Sequence, residues 1–291
     1  ARIGEIRFPG GELEITSACR SGSTHVLSLS VVAMPLKGVM LSYTDSASAR
    51  EVKGSVARRG LCGDVFLVST PRGPRISDVK VDTSVRKQEC AIDADVDGLV
   101  PDAAYRLRAR ITTDGRSVRE FTSQVFRLGE LKEGRVAFAE RWLPDRLWDI
   151  HTPQNTHGLA LSLLDGSGEV LDTGWAARFG FREFWIDGRD FYLNGTRLFL
   201  SAVPLDNAQI GAALATYEAA RESLERLKSF GINYVYTHNY GCEPGTHLSF
   251  TEVLKAADDV GMLVGFSQPH FSHYEWQAPD AGAIVAVRYR H

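Results

Sequence analysis

The sequence predicts a multidomain protein, all-β for most of its length and α/β at its end. Three observations predict this. Short runs of alternating apolar and polar residues, broken by turns with Gly or Asp, fill residues 76–179, as half-buried β-strands do. From residue 212 onward the apolar period lengthens to that of a helix, and helix-like and strand-like segments alternate, the order of βα units on a parallel sheet. Between the two lies FGFREFWIDGRDFYLNGTRLFLSAV, residues 179–203, with two hairpin-turn signals within nine residues.

A chain of 291 residues holds two or three domains and can bury substantial cores. Its 44% apolar and 24% charged content is that of a soluble globular protein. A net charge of −3 gives no footprint for nucleic acid or an anionic membrane. No apolar run reaches about 18 residues and no signal-peptide pattern opens the chain, so neither a membrane span nor a membrane partner is expected. Cys19, Cys62, Cys90 and Cys242 are scattered without a close pair. Free thiols in a reducing cytoplasm fit best, and a periplasmic protein whose signal has been removed is also compatible.

Taken in order, residues 1–75 read as short strands at 12–16, 24–33 and 39–43, a polar loop at 45–50, and a strand after a glycine turn at 60–67. Residues 76–180 supply strands at 76–82, 90–96, 105–112, 118–128, 135–139, 158–164 and 169–173, with Asp114-Gly115 as a tight turn. Strands at this regular spacing in about 100 residues predict an immunoglobulin-like β-sandwich. His151 and His157 fall in its connectors and read as loop residues. At the junction, Asp187-Gly188 and Asn194-Gly195 are both type I′ signals. The apolar run from Leu198 to Val203 reads as one strand buried on both faces. Beyond it come a helix at 212–230, a strand at 232–236, a helix at 251–260, a strand at 262–266 and the start of a helix at 281–287. A full (β/α)8 barrel takes about 250 residues, so residues 181–291 predict an incomplete TIM-barrel segment of about three βα units.

The junction also carries a family resemblance. Phe179-Gly180-Phe181-Arg182, then D-G-R-D-F-Y-L-N-G-T-R-L-F-L, resembles the barrel entrance of family 2 glycoside hydrolases: β-galactosidases, β-glucuronidases and β-mannosidases. Their pattern is roughly G-F-R, a strand, then F-x-L-N-G-K-x-x-x-L-R-G. The chain departs from it at Ser201-Ala202, where a basic residue and glycine are usual. Residues 60–67 are similar to the G-I-x-x-D-V-x-L segment that closes the family's sugar-binding jelly roll, and residues 148–154 to its connector L-W-x-P-x-x-P-x-L-Y.

The resemblance implies that residues 1–75 are a partial jelly-roll β-sandwich without its first half. It implies that the second sandwich supports a barrel and carries no chemistry. It also implies a retaining pair of glutamates about 5–5.5 Å apart, on later barrel strands, the first of them in an Asn-Glu dipeptide. This chain has no Asn-Glu dipeptide and stops short of those strands. The expectation is a hydrolase fragment, truncated at both ends, without the family's glycosidase activity.

A polar cluster remains at the C-terminal ends of the second and third barrel strands, the face where barrel sites sit. The first part is Thr237-His238-Asn239-Tyr240-Gly241-Cys242-Glu243, and the second runs from Ser267 to Trp276. The resemblance implies that Asn239, Tyr240, His270 and Trp276 contact a carbohydrate. The residues themselves leave a second reading open. His238, Cys242, His270 and His273 are of the types that bind zinc or another divalent metal. Glu243 or Glu275 would then serve as catalytic carboxylate, with metal-bound water hydrolysing a small ester or phosphoester. A non-catalytic carbohydrate-binding or structural fragment is the third reading. Unclosed strand edges predict a homo-oligomer, most simply a two-fold dimer.

Overall fold

Alternation at residues 89–97 becomes a strand in which Cys90, Ile92, Ala94 and Val96 are buried while their neighbours are partly exposed. The computed structural model describes residues 2–6, 11–32, 61, 65–205, 216–238 and 250–267. The chain divides into two compact units, 65–200 on one hand and 1–64 with 201–291 on the other.

In the first unit, β1 (Arg75–Ser84), β2 (Glu89–Asp97) and β5 (Arg135–Arg141) form one antiparallel sheet in the order β1-β2-β5. A second sheet runs β4-β3-β6-β7, from β4 (Arg116–Thr122), β3 (Tyr105–Thr113), β6 (His157–Asp165) and β7 (Val170–Thr173). β8 (Ala177–Phe179) also pairs with β6. Ile92 and Val136 from the first sheet share one core with Leu107, Ile111, Leu159, Leu161 and Leu163 from the second. Two sheets closed on a common apolar layer make a β-sandwich. Asp114 and Gly115 take φ of 49° and 76°, the left-handed pair that a type I′ turn requires.

The strand expected over 118–128 ends at Thr122. There the Ser123 hydroxyl accepts the Leu107 amide at 2.9 Å and donates to the Gln124 carbonyl at 2.7 Å. That side chain takes a ladder position and ends the regular pairing. His157 opens β6 and is buried, so it is not the loop residue expected.

A small sheet of order β11-β10-β9 completes this unit: β9 (Phe184–Asp187), β10 (Asp190–Leu193) and β11 (Thr196–Leu198). Asn194-Gly195 turns as expected, with φ of 53° and 90°. The other turn is Gly188-Arg189, one residue later than expected, because Asp187 pairs with Asp190. The run from Leu198 to Val203 is not one strand. β11 stops at Leu198, Phe199 is 84% exposed, and β12 (Ala202–Pro204) belongs to the other unit.

In the second unit, β12, β13 (Tyr234–His238) and β14 (Leu263–Ser267) form a parallel sheet in that order, with Val203 opposite Val235 and Val235 opposite Val264. Helix α1 (Tyr217–Ser229) links the first two strands and α2 (Phe250–Val260) the next two. The Thr216 hydroxyl caps α1 by accepting the Ala219 amide, one of the donors that a helix start leaves unpaired. Gly231, at φ 82°, lets the chain leave the helix and donates to the Lys228 carbonyl. Ala220 and Leu224 of α1 pack with Val253, Ala256, Ala257 and Val260 of α2 and with Val235 of the sheet. The Tyr217 hydroxyl donates to Asp259 at 2.6 Å. This is the expected strand–helix alternation; the described residues show three parallel strands and two helices, and no closed barrel. The helix expected at 281–287 lies outside the described residues.

The strands expected at 12–16 and 24–33 do not form among the described residues, and the one expected at 39–43 lies outside them. Residues 11–32 hold a single short 3-10 turn, Thr16–Ala18, and no strand. Val26 and Val32 are 89% and 92% exposed, and Leu27 and Leu29 are exposed too. Alternation yields a strand only against a pairing partner and a surface to bury, and this segment has neither among the described residues. No helix among the described residues is long and apolar enough to cross a membrane.

Candidate functional site

The parallel sheet brings the ends of two predicted site segments together. His238 closes β13, Ser267 closes β14, and the two are register partners. The C-terminal ends of neighbouring parallel strands therefore lie side by side, the arrangement on which barrel sites are built. Asn239, Tyr240, Cys242, Glu243, His270, His273, Glu275 and Trp276 lie outside the described residues, and of His238 only the backbone is described. Among the described residues no group of three or more His, Cys, Asp or Glu could hold a metal ion.

The junction motif is seen in full, from Gly180 to Asn194. Gly180 lies against Trp148: a Cβ there would stand 2.5 Å from Trp148 Cβ. Phe181 is fully buried, edge-on to Trp142 at 5.6 Å, and its carbonyl accepts the Trp148 amide at 3.0 Å. The Arg182 guanidinium lies 4.2 Å over the Trp148 ring, a cation–π contact. The Arg182 backbone meets the Thr83 hydroxyl twice: its amide donates at 3.2 Å and its carbonyl accepts at 2.8 Å.

Glu183 follows as an anchor for the β1–β2 connection. Its carboxylate accepts Arg86 Nε at 2.6 Å, the Arg86 amide at 2.9 Å and the Ser84 hydroxyl at 3.0 Å. Burial pushes this carboxyl up, but the hydrogen bonds and charge of Arg86, with Ser84, outweigh it and hold the group below the usual glutamate range. Asn194 closes the network. Its side-chain oxygen accepts the Glu183 amide at 2.9 Å, and its Nδ2 donates to the Trp148 carbonyl at 2.7 Å. On the neighbouring sheet face Arg86 stacks on Trp185, and Trp185 lies parallel to Tyr192 at 5.6 Å.

Comparison with known proteins finds sequence and fold likenesses over most of the chain. The chain is 25% identical over 245 residues to a β-galactosidase of Lactobacillus delbrueckii subsp. bulgaricus, which covers 82% of this chain and 22% of that protein. Its structure is similar to that of β-glucuronidase 3 of Bacteroides uniformis, with TM-score 0.50 and 23% identity over 75% of this chain and 26% of the other. It is similar as well to a GH2 β-galacturonidase from Eisenbergiella tayi solved with galacturonate, with TM-score 0.54 and 20% identity over 75% of this chain and 37% of that one.

The chain resembles the family 2 glycoside hydrolases.

No protein-family model matches it. The likeness to the solved structures is one of fold, and the chain spans about a fifth of the curated relative and between a quarter and two fifths of the two structures.

Within the family 2 frame, the residues that sequence reasoning missed are Trp148 and Glu183. Trp148 reads in the sequence only as part of a connector, and Glu183 sits unmarked in a strand-like run. The signal that could have found the first is the glycine in front of Phe181-Arg182: it leaves room for a large partner, and Trp148 fills that room. Cys19 is an exposed free thiol and Cys90 a buried one; burial, with the nearby Glu89 charge, pushes the Cys90 thiol up to about 12. Cys90 is therefore core filling and not a nucleophile.

Proposed function

We propose that this chain is the supporting sandwich and the first α/β part of a family 2-like glycoside hydrolase, and that the residues present do not hydrolyse glycosides on their own. The sandwich is read as immunoglobulin-like, from its partition into β1-β2-β5 and β4-β3-β6-β7. The observation that carries the reading is the 25% identity to a β-galactosidase over 245 residues, 82% of this chain. The sequence contains no Asn-Glu dipeptide to supply the family's first catalytic glutamate. A carbohydrate is the proposed ligand, reached through Asn239, Tyr240, His270 and Trp276 after β13 and β14.

The assay is turnover of p-nitrophenyl β-galactoside and β-glucuronide by the purified chain, beside a complete family 2 enzyme. No turnover is expected; rates comparable with the complete enzyme would overturn the proposal. Metal analysis, and the same assay with p-nitrophenyl acetate and phosphate before and after chelation, tests the metal-dependent hydrolase, which no described residue supports. β12 and β14 each pair with one strand only among the described residues, and the proposed dimer uses such edges. Sedimentation at micromolar concentration should show it, and a monomer throughout would remove it.

A further inference from the structure

We propose that His157 is a proton-sensitive latch that holds β8 and the end of β6 against the sandwich at neutral pH and releases them in mild acid. The imidazole is 5% exposed. It sits edge-on to Trp142 at 5.2 Å and against Phe179 at 5.5 Å. One ring nitrogen, Nδ1, meets the Thr113 hydroxyl at 2.7 Å. The other, Nε2, is fully buried with no hydrogen-bond partner. A neutral ring tolerates this when Nδ1–H donates to Thr113 and Nε2 is left a bare lone pair. A protonated ring does not, because both nitrogens then carry a hydrogen and one N–H of a charged group stays unpaired among aromatic rings.

The position of this ring makes the strain local. His157 is the register partner of Phe179, and the next pairs are Gly158 with Arg178 and Leu159 with Ala177. Among the described residues, that three-residue pairing is all that β8 has within the sheet. On its other side β6 is held from Gly158 to Asp165 by its long ladder with β3, which leaves only His157 beyond that ladder. Charge entering at His157 therefore acts on one of the two shortest ladders of the sandwich, each of three pairs.

Burial lowers the imidazole's affinity for a proton, and the charge of Asp114 partly restores it. The other charged residues nearby in register or sequence are Arg116, paired with Thr113 on β4, Arg141, which precedes Trp142, and Arg178 on β8. With the folded pKa below the unfolded one, this group's stability contribution is complete above the unfolded value of about 6.5. It declines as pH falls from there toward the folded value, and is constant below it.

The experiment is hydrogen exchange on the full chain at pH 7.5 and 5.0, corrected for intrinsic rates. Residues 157–159 and 177–179 should lose at least tenfold protection at the lower pH, while Ile92, Ala94 and Leu107 keep theirs. In His157→Phe, whose ring fills the aromatic box without titrating, the difference should vanish. Equal loss in the variant, or loss across the whole sandwich, would overturn the proposal. Should the variant not fold, an NMR titration of His157 in the natural chain decides: its midpoint must coincide with the loss of protection at residues 177–179, and a separate midpoint refutes the latch.

Discussion

Gly180→Ala sets two physical effects of opposite sign against each other. Gly180 is not among the glycines with positive φ. On backbone grounds alone, alanine should therefore stabilise the fold by about 0.4–1 kcal/mol, by restricting the unfolded chain. The added methyl, however, would stand 2.5, 2.7 and 2.9 Å from Cβ, Cγ and Cδ1 of Trp148. The nearest of these is a β-carbon, which no rotamer change moves. Trp148 is pinned as well, since its amide donates to the Phe181 carbonyl and its own carbonyl accepts Asn194 Nδ2. Overpacking of this kind costs about 1–3 kcal/mol, occasionally more. With the contact set by backbone-anchored atoms the upper end applies, and the net expectation is a loss of about 2 kcal/mol. Urea unfolding followed by far-ultraviolet circular dichroism measures it. Gly129→Ala is the control, because a methyl group added at that glycine would meet nothing within 4 Å and its φ is not positive. Equal midpoints for the two variants would refute the role given to the Gly180–Trp148 contact.

Two further substitutions test the same network by different physics. Asn194→Gly keeps the left-handed turn but removes both side-chain hydrogen bonds, and should cost about 1–2 kcal/mol. Asn194→Ala should cost about 1 kcal/mol more, for placing a Cβ at positive φ; equal urea midpoints would discard the backbone part. Glu183 has its folded pKa depressed, so its contribution is complete above the unfolded value of about 4.3 and is lost as pH falls through the folded one. Glu183→Gln should therefore lower stability at pH 7 and flatten its decline between about pH 5 and pH 3. An unchanged acid limb would show that Glu183 does not set it.

The sandwich strands were legible because each buries one face of a sheet against a partner in the same unit, so period-two alternation maps directly onto burial. The parallel unit was legible because α1 and α2 carry helical apolar spacing, and Ala220 and Leu224 are indeed the buried positions. Residues 24–32 alternate as cleanly, yet form no strand, because the pattern states a capacity for pairing and not the presence of a partner. The run from Leu198 to Val203 misled for a related reason. Consecutive apolar residues mark two successive strands in different sheets as readily as one strand covered on both faces, and the break at Phe199 has no glycine or proline to announce it. His157 was misplaced because nothing local distinguishes a buried imidazole from an exposed one; its environment comes from Trp142 and Phe179, far apart in sequence. At the candidate site, sequence reasoning found both strands but ended them at Tyr236 and Phe266, two residues and one residue before their ends at His238 and Ser267.

The motif that carried the family resemblance does mechanical work throughout its described length. Gly180 admits Trp148, Phe181 fills the core, Arg182 covers the indole, Glu183 binds the β1–β2 connection, and Asn194 ties the hairpin back to Trp148. The Glu183 carboxylate and both polar atoms of the Asn194 side chain are spent on protein partners. A sequence can therefore keep this signature for the sake of its fold alone, whatever has become of the chemistry on the strands beyond. Architecture is what such a motif can establish, and activity has to be argued from the site itself. For this chain the residues to test are those that follow β13 and β14, where the parallel strand ends meet.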